Sequence, residues 1–268
     1  MSVLRWIALC CLVAGSVSAD TIRLAVTTSF ENSGLSDVLL PVARDATGDS
    51  YQLIVVGTGK ALRLGAAGDV DAVLVHAPDA ERAAVKAGHF THRREIMFND
   101  FVLVGPRDDP AGIARAAGAA DALTRISAQN ALFASRGDES GTHKAELALW
   151  EVAGIDVAAA SPRWYRATGA GMGATLNAAV AMGAYALSDR ASWLTFGNPG
   201  NHALLFEGDP ALFNQYALLP VDPARHPHVA AEGVARFEAW LTGPEGQGVI
   251  NDYRLAGQPL FTANATPR

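Results

Sequence analysis

The stretch SRGDESGTH, residues 135–143, decides the fold predicted for this chain. A strand-like apolar run at 131–134 precedes it, and a helix-like segment at 144–152 follows it. A hydroxyl can cap the incoming helix, and a glycine lets the backbone approach a ligand closely. The first N–H groups of a helix are unpaired and carry partial positive charge. The stretch therefore predicts a strand, a loop that binds a tetrahedral oxyanion and a helix, with an ordinary capped helix as the alternative.

Charge within this stretch supports an anion site. Arg136 supplies one full positive charge, and Asp138 is placed to hold the guanidinium rather than to face an anion. Either Ser140 or Thr142 can cap the helix. The candidate ligand-binding residues of the stretch are Ser135, Arg136, Ser140, Gly141 and Thr142.

Other turns share this composition, because hydroxyls or glycines follow an apolar run and lead into a helix. Ordinary caps and tight turns are the alternative reading of each. The turn at 57–60 lacks the spacing of a phosphate loop, and no clear strand precedes the glycine-rich turn at 169–173, so a nucleotide site is not expected. These turns add the candidate ligand-binding residues Thr27, Thr28, Ser29, Thr58, Gly171, Met172 and Ser188.

Apolar strands alternate with helical stretches in the first part of the chain. This βαβαβα order is typical of a mostly parallel sheet in an α/β protein. The strands are predicted at 22–26, 52–56 and 72–75, and the helices near 35–45, 60–67 and 78–87.

A two-lobed organisation follows from two later apolar runs, 101–104 and 216–221, which are interpreted as crossings between lobes. We expect an α/β protein with two mixed sheets flanked by helices and a two-strand hinge. Ligands favour the cleft between such lobes. The predicted boundaries are 20–102 with 217–268 for lobe 1 and 103–216 for lobe 2.

The first residues predict export. An apolar run at 6–17 follows a single cation and leads to small residues before Ala19-Asp20, so residues 1–19 are expected to be a signal peptide cleaved near that bond and the protein to be periplasmic. A retained anchor is the alternative, although the run is short for a membrane span. Cys10 and Cys11 both lie in this segment, so the exported chain is expected to have neither disulfide nor thiolate site. The net charge of −6 excludes a typical nucleic-acid binder.

Three other functions are weaker readings of the same residues. A secreted hydrolase could use Ser140 and His143, but no Gly-x-Ser-x-Gly elbow surrounds this serine. An adhesion module could use the Arg-Gly-Asp tripeptide at 136–138. The histidine pairs at 89/92 and 226/228 would need a carboxylate to bind a metal cation, and no cation site is expected.

The chain resembles the periplasmic tungstate-binding proteins of ABC transporters, within the type II solute-binding proteins for molybdate, sulfate and phosphate. The resemblance covers essentially all of the chain after residue 19. Eight segments carry it by their order and spacing, at 27–29, 56–62, 68–71, 74–76, 99–102, 135–143, 171–176 and 187–190.

This resemblance implies a monomeric, non-enzymatic protein without a cofactor, which closes on tungstate and delivers it to a permease. A molybdate, sulfate or phosphate carrier of the same fold is the alternative. The family's first turn reads Thr-Thr-Thr-Ser and then a polar residue, and this chain departs from it at Val26 and Phe30. The positions that match the family's ligand contacts are Thr28, Ser29, Thr58, Arg136 and Thr142.

Overall fold

The computed structural model describes residues 19–138 and 140–266. Nearly all of the predicted signal peptide, with Cys10 and Cys11, therefore lies outside the described residues. Among the residues that the structure describes, none of the helices has the length and apolar character that a membrane crossing requires.

Strands and helices alternate through the first half of the described chain. The strands are β1 (Thr21–Val26), β2 (Ser50–Val55), β3 (Ala72–Val75), β4 (Arg94–Pro106), β5 (Phe133–Ser135), β6 (Tyr165–Ala167), β7 (Ala186–Asp189), β8 (His202–Phe206), β9 (Phe213–Pro220), β10 (Arg254–Leu255), β11 (Gln258–Pro259) and β12 (Thr262–Ala263). The helices are α1 (Thr28–Asn32), α2 (Leu35–Thr47), α3 (Thr58–Ala67), α4 (Pro78–Lys86), α5 (Ala119–Ala128), α6 (Gly141–Val152), α7 (Val157–Ala160), α8 (Met172–Met182), α9 (Arg190–Leu194), α10 (Ala231–Thr242) and α11 (Pro244–Asp252).

A mixed sheet in the order β12-β4-β9-β3-β1-β2 forms one part of the fold. β1 pairs in parallel with β2 and β3, whereas β9 is antiparallel to β3 and β4. The second half of β4 pairs instead with β7 and β8. β5 pairs in parallel with β6 and forms an isolated parallel bridge to Tyr185, just before β7. The predicted α/β class with mixed sheets flanked by helices is confirmed.

The strand β4 carries the chain from one part of the fold to the other. It is longer than the predicted apolar run at 101–104, because its first half contains polar residues that pair with β9. Asn214 Nδ2 donates to Asn99 Oδ1 at 2.8 Å, and the rings of Phe98 and Phe213 stack with centroids 4.7 Å apart. These contacts fix β4 against β9 where both strands cross.

Hydrophobic cores lie on both sides of this crossing. Leu24, Tyr216 and Phe237 belong to a fully buried cluster under β1, α2 and α10. Phe133 and Trp150 belong to another, under β5, α5 and α6, where their rings meet edge to face with centroids 5.1 Å apart. Both clusters bury large apolar side chains and so stabilise their own part of the fold. The lobe boundaries given above stay a prediction.

A glycine in α3 gives a test of this packing. A Cβ at Gly65 would lie 2.5 Å from Phe90 Cε1, inside a buried cluster. We expect Gly65→Ala to lower the free energy of unfolding by roughly 1–3 kcal/mol, because the ring has to move within a packed core.

The matched control is Gly248→Ala in α11, where an added Cβ meets no atom within 4 Å. It should be neutral or stabilise by about 0.5–1 kcal/mol through helix propensity. Urea unfolding measures both variants. Equal stabilities of the two would contradict the packing described for α3.

Candidate functional site

The first half of the site lies where β1, β2 and β3 end. These strands are parallel neighbours, so their carboxyl ends share one edge of the sheet. Thr27 follows β1 there, Thr58 begins α3 after β2, and His76 follows β3. Main-chain pairing continues beyond the strands, since Val56 N–H donates to Val26 O at 2.9 Å. The register therefore gathers the predicted hydroxyl turns at one place.

Ser29 is the centre of a hydrogen-bond network at this edge. Its Oγ lies 3.0 Å from Thr27 Oγ1 and 2.9 Å from His76 Nε2, and Tyr216 OH donates to it at 3.3 Å. The buried Thr27 also caps α1 by accepting from Phe30 N–H at 3.3 Å. These bonds hold the Ser29 hydroxyl in one position before any ligand arrives.

His76 lies at this edge of the sheet beside Ser29 and was absent from the predicted set of ligand-binding residues. Burial lowers the pKa of His76 to about 4, although a hydrogen bond with the Asn214 side chain acts in the opposite direction. The imidazole is therefore neutral at pH 7. The sequence signal for His76 was its position directly after β3, because the turns that follow β1 and β2 lie at the same edge of the sheet.

The second half of the site is built by the loops after β5 and β6, which also run in parallel. Thr168 Oγ1 donates to Ser135 O at 3.0 Å, and Ala170 N–H donates to Arg136 O at 3.3 Å. Gly137 has a φ of 61°, and a Cβ there would lie 2.7 Å from Ala167 Cβ. Only glycine fits this close approach without strain. The two loops are thus held as one unit.

The expected ion pair between Arg136 and Asp138 is present. Arg136 Nη2 lies 2.5 Å from Asp138 Oδ2, with side chains only 16% and 21% exposed. Burial favours a higher pKa for Asp138, but hydrogen bonds from Ser140 and Arg136 outweigh it and hold the pKa below its usual value. Arg136 Nε is buried without a hydrogen-bond partner among the described residues. The guanidinium is therefore anchored at one nitrogen and keeps an unused donor at another.

Helix starts supply further donors. Ser140 caps α6 by accepting from His143 N–H at 3.2 Å, and Thr142 in its first turn is buried. Gly171 precedes Met172 at the start of α8 and offers no side-chain cap to it. The N–H groups of that first turn therefore stay available to a ligand.

A close approach joins the two halves. A Cβ added at Gly141, the first residue of α6, would lie 3.2 Å from Cε1 of His76. The start of α6 thus faces the end of β3, and a side chain at position 141 would press against the His76 ring. The Arg136 loop and the hydroxyl turns are consequently neighbours.

Two predicted ligand residues point elsewhere in the structure. Ser135 is fully buried, with its Oγ 2.9 Å from Tyr165 OH. Ser188 is also fully buried and donates its Oγ to Asp189 O at 2.9 Å. Thr28 is exposed at the first turn of α1. The ligand role of these three residues stays a prediction.

The other readings of the sequence receive little support from this geometry. Ser140 serves as a helix cap, which is a poor position for a nucleophile. The Arg-Gly-Asp tripeptide at 136–138 is closed on itself by the ion pair. Within 19–138 and 140–266, no group of three or more His, Cys, Asp or Glu side chains could hold a metal ion. A cavity of about 790 Å³ lies elsewhere, lined largely by α10 and α11.

Comparisons with known proteins agree over nearly the whole chain. A family model described as a PBP superfamily domain matches residues 14–245. The tungstate-binding protein TupA of Peptoclostridium acidaminophilum is 42% identical over 251 residues, which are 91% of this chain and 86% of that protein.

Two solved structures are also similar. The tungstate-binding protein TupA from Desulfovibrio alaskensis G20 has a TM-score of 0.88 and 44% identity, and the match covers 92% of this chain and 100% of that chain. The tungstate ABC transporter from Geobacter sulfurreducens has a TM-score of 0.77 and 44% identity, covering 87% of this chain and 98% of that chain.

The dependence of stability on pH tests the neutral state of His76. Its pKa is about 4 in the folded chain, against an ordinary value of 6.5, so the unfolded chain takes up a proton first as the pH falls. The free energy of unfolding is therefore unaffected by His76 above pH 6.5. It decreases as the pH falls from 6.5 toward 4, where only the unfolded chain binds this proton. We expect His76→Asn to show a shallower loss of unfolding free energy over this range, measured by urea unfolding.

His89→Asn is the control, because His89 lies outside the site and bonds to Arg225. It should keep the slope of the unchanged protein. A His76→Asn slope equal to that of the control would contradict the assignment.

Proposed function

We propose that this chain, which belongs to the PBP superfamily and within it to the family of the TupA tungstate-binding proteins, captures tungstate and delivers it to the permease of an ABC transporter. In this proposal it is a monomeric binding protein without catalysis or cofactor, exported to the periplasm by residues 1–19. The anion sits between two lobes, 20–102 with 217–268 and 103–216.

The observation that carries the proposal is the donor character of the site. The hydroxyls of Thr27 and Ser29 lie at the strand ends beside His76, which the start of α6 approaches at Gly141. The second half adds the N–H groups that begin α6 and α8 and the buried Arg136 Nε. The nearby carboxylate is engaged by the guanidinium. Tungstate is a dianion that only accepts hydrogen bonds, so such a lining suits it.

The expected free energies of the hydrogen bonds support tight binding. About six charge-assisted hydrogen bonds at roughly 1.5–3 kcal/mol each give about 9–18 kcal/mol, and association costs about 4–15 kcal/mol. Nanomolar affinity, about −12 kcal/mol, requires donors that are aligned beforehand. The network around Ser29 and the anchored guanidinium of Arg136 meet that condition. The choice of tungstate over molybdate is carried by family membership, since the two ions share charge and shape.

A competition titration tests the ligand. Tungstate, molybdate, sulfate and phosphate are each titrated by calorimetry and then competed against one another at pH 7.5. We expect nanomolar binding of tungstate, and weaker binding of phosphate because the Asp138 carboxylate, which could accept its bound proton, is engaged by Arg136. Tighter binding of sulfate or phosphate than of tungstate would refute the proposed ligand.

The role of Arg136 gives a second test. We expect Arg136→Ala to weaken tungstate binding at least 100-fold, because it removes the buried cation and leaves Asp138 without its partner. Calorimetry measures the dissociation constant. Arg163→Ala is the matched control, since the exposed guanidinium of Arg163 donates to Ala159 O and lies outside the site. A loss below tenfold in Arg136→Ala would point to another anchor.

A further inference from the structure

A buried carboxyl group lies directly beneath the Arg136 loop. Glu146 is in α6, five residues after Gly141, which is about 7.5 Å along the helix axis. It is 1% exposed, and no ion pair with it is present among the residues that the structure describes. Isolated ionised carboxylates at such depth are costly. Apolar packing alone therefore does not explain why a carboxyl group is buried at this position.

The contacts of Glu146 lead to the site. Tyr165 OH is 2.6 Å from Glu146 Oε1 and 2.9 Å from Ser135 Oγ, so the carboxyl is linked to the residue that precedes Arg136. Glu146 Oε2 and the Trp150 Nε1 are each buried without a hydrogen-bond partner of good geometry. The carboxyl thus has one oxygen tied to the loop through Tyr165 and one buried oxygen whose neighbours do not reach good hydrogen-bond geometry.

We propose that Glu146 is a positioning residue for the Arg136 loop and that its carboxyl group takes up a proton from solvent when the anion binds. This inference rests on the proposed function. A dianion on the loop repels a nearby carboxylate, and protonation removes that repulsion while the link through Tyr165 stays in place.

The surroundings of Glu146 are compatible with this role. Burial raises the pKa of Glu146 to about 7, with hydrogen bonds from Tyr165, Ser135, Trp150 and the Arg136 backbone acting in the opposite direction. The carboxyl therefore titrates near neutral pH before the anion binds. Like charge on the loop raises its pKa further, so binding and protonation favour each other.

Other ionisable groups on the elements packed around Glu146 are engaged with different partners. Asp121 pairs with Arg125 on α5 at 3.1 Å, Asp189 caps α9 after β7, and the Arg166 guanidinium bonds to Arg163 O. His143 lies one turn earlier on α6. Burial and the charge of Glu146 both raise the pKa of the Tyr165 hydroxyl, which therefore remains a donor.

The sign of the pH dependence follows from these directions. Below about pH 7 the carboxyl is protonated in the free and the bound protein, and affinity is at its highest. Above pH 7 the free protein loses the proton and must regain it on binding, so affinity falls as the pH rises. Each unit by which binding raises the pKa corresponds to about tenfold in affinity.

Calorimetry on the full chain provides the experiment. Tungstate is titrated at pH 7, 8 and 9 in two buffers of different ionisation enthalpy, which gives the protons taken up per anion. We expect net proton uptake at pH 7 and 8, and about tenfold weaker binding at pH 9 than at pH 7. Glu146→Gln, which is always neutral, should abolish both the proton uptake and the fall in affinity between pH 7 and 9.

Two further variants separate positioning from general packing. Tyr165→Phe removes a hydrogen bond that lowers the pKa of Glu146, so the loss of affinity should shift to higher pH. Glu151→Gln removes an exposed carboxylate from the same helix and should leave proton uptake unchanged.

The outcomes distinguish this inference from the proposed function. No binding of tungstate by the unaltered protein at pH 7 would refute the function. Binding without proton uptake and with one affinity from pH 7 to 9, or an unchanged pH slope in Glu146→Gln, would refute only the inference. If circular dichroism shows that Glu146→Gln is unfolded, the proton uptake of the unaltered protein and the shift in Tyr165→Phe decide.

Discussion

The candidate site depends on the parallel register of β1 with β2 and β3. Val26 lies opposite both Val55 and Leu74, so all three strands end at the same level and release their next residues on one side. A slip by one residue would turn every side chain to the other face and bury the wrong set. The apolar contacts under these strands therefore fix the position of Ser29 and His76 as firmly as their own hydrogen bonds do.

The charges of the site follow from what burial permits. The whole chain is acidic, with a net charge of −6, so its overall field repels an anion and attraction has to be local. A buried guanidinium needs a partner, and Asp138 supplies it from two residues away. That pairing leaves Arg136 Nε for a ligand and keeps the carboxylate from facing it. Backbone N–H groups at helix starts add donors without adding ions.

Much of the architecture could be read from the sequence, because runs of apolar residues between turn residues report strand and helix periods directly. The segments 72–75 and 78–87 correspond closely to β3 and α4. β6 was missed because three residues give no period, and its identity comes from pairing with β5. The first half of β4 was not predicted as a strand, because polar residues interrupt its apolar pattern where it crosses between the sheets.

The site was harder to predict, because a sequence shows which residues have hydroxyls but not where these point. Ser135 and Ser188 ended in the interior, since alternate side chains of a buried strand face opposite layers. His76 was passed over because a single histidine after an apolar run has many structural uses. Its place at the candidate site follows only from two distances. One joins His76 Nε2 to Ser29 Oγ, and the other joins His76 Cε1 to a Cβ added at Gly141. Both depend on tertiary contacts.

Burial also explains why the pKa values of His76 and Glu146, on the two sides of the site, shift in opposite directions. It lowers the pKa of His76 and raises that of Glu146, which favours the neutral form of each. The ion pair of Arg136 and Asp138 itself has a net charge of zero before a ligand arrives. A dianion bound there is therefore neutralised by oriented dipoles more than by ions. Such dipoles act only at short range and in fixed directions, so the precision of the fold, rather than the number of cations, determines how strongly the anion is held.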